Sequence, residues 1–195
     1  MVAVFSSRND KFKMKNFFCL HRGLDVIPLM NALNANPALW NQNDLRTTYP
    51  DTPHSAVDDI WLRFNEFDAE NPDVVIDDRE CINYPAIYQL PQAQHILFWL
   101  MARVQGERLG RAVITRLPPG DRIDAHTDMG APAEYYDRYQ IPLHSHKGCV
   151  FRAGDEQVTM QTGEVWWFDN KQEHEVINNS DDFRLTIIAD IVSFK

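Results

Sequence analysis

In the stretch DRIDAHTDMG, residues 121–130, a histidine stands two positions before an aspartate. Residues two apart in an extended strand project to the same face, so His126 and Asp128 can aim an imidazole nitrogen and a carboxylate oxygen at one point. A third donor is available in NKQEHEVIN, where His174 opens a later strand-like run. Two imidazoles and one carboxylate make a facial set. That set suits Fe(II), whose octahedral preference leaves positions open for a co-substrate and dioxygen, whereas structural zinc would close a tetrahedron. A lone HxD pair is also a common surface pattern, so the assignment depends on what accompanies it.

Arg184 accompanies it, in DDFRLTIIADI, on a run otherwise filled by Leu185, Ile187 and Ile188. A guanidinium in such a run is costly to bury unless an anion meets it, and its planar fork matches a carboxylate. A dicarboxylic co-substrate would be that anion. The other arrangement turns Arg184 outward, toward Asp181, Asp182 or solvent. A competing metal site is His144 and His146 in PLHSHKG, an HxH with the spacing a cupin uses, which His174 could complete in place of the first pair. The adjoining Lys147-Gly148 turn is equally a place where histidines are simply solvated.

These residues need elements to hold them. From Arg111 onward the chain breaks into eight short strand-like runs: RAVITRL, DRIDAHTD, RYQIPLH, GCVFRA, EQVTM, GEVWWF, HEVIN and RLTIIADIVSF. Turn-forming pairs separate several of them, among them Pro119-Gly120, Lys147-Gly148 and Thr162-Gly163. This pattern predicts a mainly β fold with flanking helices, built on a double-stranded β-helix (jelly roll, cupin-like) core. A single domain over residues 1–195 is expected. Residues 1–110 would form a helical and mixed part packing on the core, and residues 111–195 would form the jelly-roll strands carrying the metal site. A helix is predicted from Asp25, as N-cap, through VIPLMNALN, with Pro28 in its first turn and Asn36-Pro37 ending it. A second helix, Gln92 to Arg103, places Ala93, Ile96, Leu97, Leu100 and Val104 at helical spacing, an apolar stripe that should lie against a sheet. A strand is expected around Ile60 to Phe64. Residues 68–83 read as a loop long enough to act as a lid.

Trp166 and Trp167 alternate across a strand, with the core as default for both. Asp169 and Asn170 read as turn formers before His174. His54 and Arg46 precede the strand at Ile60 and could reach over the barrel mouth.

Composition narrows the classes further. The chain has 195 residues, 44% apolar, with five tryptophans, which excludes a disordered chain. A net charge of −9 disfavours a nucleic-acid partner. Cys19, Cys81 and Cys149 form no CxxC pair and read as reduced thiols. The N-terminal residues carry no secretory pattern, and HILFWLMARV is too short to cross a bilayer, so a soluble cytoplasmic protein with no membrane partner is expected. Oligomeric state is not encoded in any readable pattern.

The tail from Thr115 to Ile191 resembles the aspartyl/asparaginyl β-hydroxylase family of Fe(II)/2-oxoglutarate-dependent dioxygenases. The resemblance is carried, in order, by LPPGDRIDAHTD, RYQIPL and GCVFRAGDEQVTMQTGEVWWFDNKQEHEVINNSDDFRLTIIADI. It implies iron held by His126, Asp128 and His174, with 2-oxoglutarate as co-substrate and O2 as oxidant. It further implies that Arg184 grips the distal carboxylate of 2-oxoglutarate with help from Thr115, and that Arg138 contacts the end near the metal. Where the family often has a histidine two residues after that arginine, this chain has Gln140, which can donate to a carboxylate but carries neither proton nor charge. The implied reaction decarboxylates 2-oxoglutarate to succinate and CO2 and hydroxylates an unactivated C–H bond of a small-molecule or peptidyl amino-acid substrate. A jelly roll that binds without turnover is the reading from another class. The N-terminal half resembles the family only through ALW and TPHSAVDDIWLRF.

Overall fold

Strand character follows from which faces of each run are buried. In the computed structural model, which describes residues 14–66 and 79–193, all eight runs form strands. They are β4 (Gly106–Leu117), β5 (Arg122–His126), β6 (Asp137–His144), β7 (Cys149–Ala153), β8 (Glu156–Val158), β9 (Val165–Phe168), β10 (His174–Asn178) and β11 (Arg184–Ser193). Three more come earlier: β1 (Phe17–His21), β2 (Asp58–Phe64) and β3 (Ile82–Asn83). The strands pair antiparallel into a large sheet, ordered β1-β9-β6-β11-β4-β2-β3, and a small one, ordered β5-β10-β7-β8. This is a double-stranded β-helix with helices on one face.

The near-continuous apolar run of β11 belongs at the centre of the large sheet, between β6 and β4, with both faces covered. Its odd-numbered residues, Leu185, Ile187, Ala189 and Ile191, face the helices α1 (Ile27–Ala35) and α4 (Pro91–Arg103). The helical stripe Ala93, Ile96, Leu97 and Leu100 packs there, as its spacing requires. A second core lies between the sheets, where Phe17, Leu117, Ile123, Phe151, Phe168 and Val176 meet. Trp166 joins this inner core, while Trp167 packs on the helix side. That division is what a period of two demands of neighbours on β9.

Several details differ from expectation. Asp25 stands one residue ahead of the N-cap, Val26, and accepts the Ile27 N–H at 3.1 Å; Asn36 is the C-cap, and Pro37–Leu39 continue as a 3-10 turn. β1 carries no readable alternation because only its first residue is buried. Short helices α2 (Leu45–Thr48), α3 (Pro85–Gln89) and α5 (Ala131–Tyr135) fill loops. β3 falls within the stretch expected to be a loop; most of that stretch, residues 68–78, lies outside the described residues, and so does most of the lid assigned to it. β4 begins before Arg111, and the N-terminal residues contribute β1, β2 and β3 to the large sheet as well as helices.

Candidate functional site

Pairing between β5 and β10 sets His126 directly opposite His174. Directly opposed residues of an antiparallel pair share a face, and the two rings lie 4.3 Å apart, centroid to centroid. Asp128 is not on β5, which ends at His126, but in the loop that follows. Even so its carboxylate comes to 4.0 Å from His126 Nε2 and 3.9 Å from His174 Nε2. One donor atom from each of the three lies within 4.8 Å of the others.

Both imidazoles are oriented by backbone carbonyls. His126 Nδ1 lies 2.7 Å from the Asp124 carbonyl oxygen, and His174 Nδ1 lies 2.9 Å from that of Gln172. The tautomer that donates from Nδ1 leaves each Nε2 lone pair aimed at the cluster. Burial against Phe168 and Phe151 pushes the His174 pKa down to about 4, against the opposing pull of Asp128, so the ring is neutral at physiological pH. Burial resists ionisation of Asp128, yet Arg138 and the two imidazoles outweigh it and hold the carboxyl below its usual range.

Arg138 holds this acid in place. It sits on β6 opposite Asp190 of β11 and clasps that carboxylate through Nε and Nη2 at 2.7 and 2.9 Å, while Nη1 donates to Asp128. Asp190 is 1% exposed. Burial disfavours the Arg138 charge, but the two carboxylates more than restore it and raise its pKa. The side chain expected to reach a co-substrate therefore has all three nitrogens engaged by protein carboxylates.

Arg184 is in the opposite condition. It begins β11 on the inward face and is 3% exposed, which excludes the outward pairing with Asp181 or Asp182. Its described partner is neutral: Nη2 donates to Gln140 Oε1 at 3.4 Å. No carboxylate among the described residues forms an ion pair with it, and burial pushes its pKa down to about 10. Thr186, two residues on and so on the same face, donates to the same Gln140 oxygen at 3.4 Å. Thr115 of β4 is paired with Thr186 and is itself 1% exposed. The structure thus gathers Arg184, Gln140, Thr186 and Thr115 in one buried polar cluster inside the barrel. Thr186 went unremarked in the sequence, although its parity with Arg184 was the available signal.

A cavity of about 520 Å³ opens over the His126 and Asp128 side of the cluster, with walls that include His54, Trp61, Phe64 and Arg111. His54 stands edge-on to His126 at 5.0 Å, and its buried Nδ1 has no hydrogen-bond partner among the described residues. Burial, reinforced by Arg46 and His126, keeps this ring neutral. Arg46 also lines the cavity but is committed to Asp59 in a two-bond fork at 2.7 and 2.8 Å. Arg111, half-buried over the Phe64 ring at 4.7 Å and donating to Asn65, shares the inward parity of Val113 and Thr115 on β4; neither it nor Trp61 stood out in the sequence.

The HxH pair lies elsewhere. His144 and His146 meet Asp182, not His174, which corrects the arrangement in which His174 completes a cupin-type site with them. Asp169 does form the turn before β10, its carboxylate accepting the Lys171 N–H.

The architecture, two antiparallel sheets enclosing a two-histidine, one-aspartate cluster, is that of the cupin-like jelly rolls. A model of the family described as aspartyl/asparaginyl beta-hydroxylase matches residues 40–193. The human aspartyl/asparaginyl beta-hydroxylase is 33% identical over 87 residues, which are 44% of this chain and only 11% of the human protein. A solved oxidoreductase of the 2OG-Fe(II) oxygenase family from Burkholderia pseudomallei superposes with a TM-score of 0.51 at 14% identity, over 70% of this chain and 66% of that one. That likeness establishes the shared fold. The chain belongs to the aspartyl/asparaginyl β-hydroxylase family.

Proposed function

We propose that the protein is an Fe(II)- and 2-oxoglutarate-dependent dioxygenase that hydroxylates an unactivated C–H bond of an amino-acid moiety of aspartyl or asparaginyl type. The observation that carries this reading is Arg184, a buried guanidinium without an anionic partner among the described residues. Burying a cation is costly unless a counter-charge arrives. A carboxylate can accept two parallel N–H bonds from the guanidinium fork, with further donors from Thr115 and Thr186.

The donor set fits the metal. Two imidazoles with Nε2 presented and one ionised carboxylate suit Fe(II) and leave coordination positions for other ligands. His126, Asp128 and His174 would hold the ion, which supplies the oxygen chemistry when bound. Arg138 would fix the Asp128 carboxylate, and Asp190 would fix Arg138. The substrate would enter the cavity bounded by His54, Trp61, Phe64 and Arg111. The half-buried Arg111 cation beside aromatic walls supports a ligand with a carboxylate or amide next to an apolar stem. The name of the human relative supports the same class. The three cysteines are free thiols, which supports a reducing, cytoplasmic setting, and no helix among the described residues is long and apolar enough to cross a membrane.

The test uses protein purified without oxygen. Adding Fe(II) and 2-oxoglutarate should produce a visible iron-to-keto-acid absorption band, and admitting oxygen with candidate amino acids or peptides should yield succinate. The band should be lost in His174→Ala and weakened strongly in Arg184→Met. A wild-type protein that shows neither band nor succinate would instead be a jelly roll that binds without turnover.

A further inference from the structure

We infer that His144, His146 and Asp182 form a second metal site, built for a divalent transition ion of the zinc class and separate from the His126 cluster. His144 Nε2 lies 2.9 Å from His146 Nε2 and 3.1 Å from Asp182 Oδ2, and His146 Nε2 lies 3.8 Å from that same oxygen. The circle through three atoms so spaced has a radius of about 1.9 Å, so an ion slightly off their plane would sit about 2.1 Å from each, the bond length of zinc to imidazole and carboxylate. The rings stand nearly perpendicular, at 87°, with centroids 4.4 Å apart. With hydrogen on Nδ1 in both, each Nε2 presents its lone pair to that position. Two imidazoles and one carboxylate favour zinc, nickel or copper over calcium or magnesium, and the exposed side leaves room for water as a fourth ligand.

The surroundings hold the donors in place. Asp182 Oδ1 accepts the Phe183 N–H at 2.7 Å, which turns Oδ2 toward the histidines. The Asp182 carbonyl accepts from Asn178 Nδ2 at 2.8 Å and from Ser180 Oγ at 3.0 Å, so the turn between β10 and β11 is laced together. The turn between β6 and β7 is joined to it directly, since the Asn179 N–H donates to the Gly148 carbonyl at 3.1 Å. Gly148 has φ +110°, and a Cβ there would lie 2.8 Å from the Asn179 carbonyl oxygen, so only glycine allows the two turns to approach this closely. Supporting bonds of this kind orient ligands at metal sites. A bound ion would tie the end of β6 to the segment leading into Arg184, two residues beyond Asp182.

Tag-free, chelator-stripped protein titrated with Zn(II) alone tests this. Wild type should take up an equivalent of zinc that His146→Ala and Asp182→Asn each lose, or bind at least tenfold more weakly, while the double variant H126A/H174A retains it. His146 is 48% exposed and asparagine preserves the Phe183 bond, so both variants should fold, which far-ultraviolet circular dichroism checks. The proposal is overturned if wild type takes up no zinc, if H146A and D182N titrate as wild type does, or if the bound zinc disappears only with His126 and His174. Because the sites are removed by different variants, failure here leaves the iron assignment to its own test.

Discussion

Replacing Arg184 by methionine removes a buried charge and keeps most of the side-chain stem. In the folded protein the guanidinium pKa is pushed from 12.5 to about 10 by burial, and a shift of that size corresponds to a cost of about 3 kcal/mol for carrying the charge inside. The bond to Gln140 returns about 1 kcal/mol, and Gln140 keeps Thr186 as a donor after the substitution. R184M without ligand should therefore be more stable than wild type by about 2 kcal/mol, an increase in Tm of roughly 4–8 °C for a chain of this size. The sign with pH follows from a depressed folded pKa on a base. The cost is fully present below pH 10 and is relieved as pH rises through that value, so the gap between R184M and wild type should narrow above pH 10. Saturating 2-oxoglutarate with a redox-inert divalent ion should reverse the order. Wild type gains about 3 kcal/mol at a hundredfold excess over Kd, and R184M gains almost nothing. Thermal unfolding with and without the keto acid reads all of this. A ligand-free R184M that melts below wild type, together with an undiminished 2-oxoglutarate shift, would refute the claim that this cation awaits an anion.

Other substitutions probe the scaffold around the site. Arg138→Met leaves Asp190 buried without its counter-charge, so urea denaturation should show a loss of about 3–5 kcal/mol, and Asp128 should lose its anchor, with weaker metal uptake at the His126 cluster. Gly148→Ala forces a side chain into a positive-φ position 2.8 Å from a carbonyl oxygen and should cost about 1–3 kcal/mol by the same measurement. His54→Ala removes a neutral ring from the cavity wall beside His126. Substrate KM should rise while the 2-oxoglutarate absorption band stays intact; loss of the band would place His54 in the metal site instead.

Much of the architecture was legible because burial writes a period into the sequence. RLTIIADIVS announces a central strand, the four-residue stripe of α4 announces its buried face, and GCVFRA alternates as a strand between solvent and core must. β1 escaped because an edge strand with a single buried residue carries no period. The donors at His126 and His174 could be named from residue type and local spacing. Their meeting could not, since it depends on the β5–β10 register, a contact between segments far apart in sequence.

Tertiary structure alone decided which charges are matched. The sequence and its family resemblance offered Arg184 for the distal carboxylate of 2-oxoglutarate and Arg138 for the end near the metal, but the fold sets Arg138 between Asp128 and Asp190 and leaves Arg184 facing an amide. It likewise gave the HxH pair Asp182 in place of His174. A residue's chemistry belongs to its side chain and can be read one letter at a time. Its partners are fixed by strand register and by turns that touch across the barrel, and those exist only once the chain has folded.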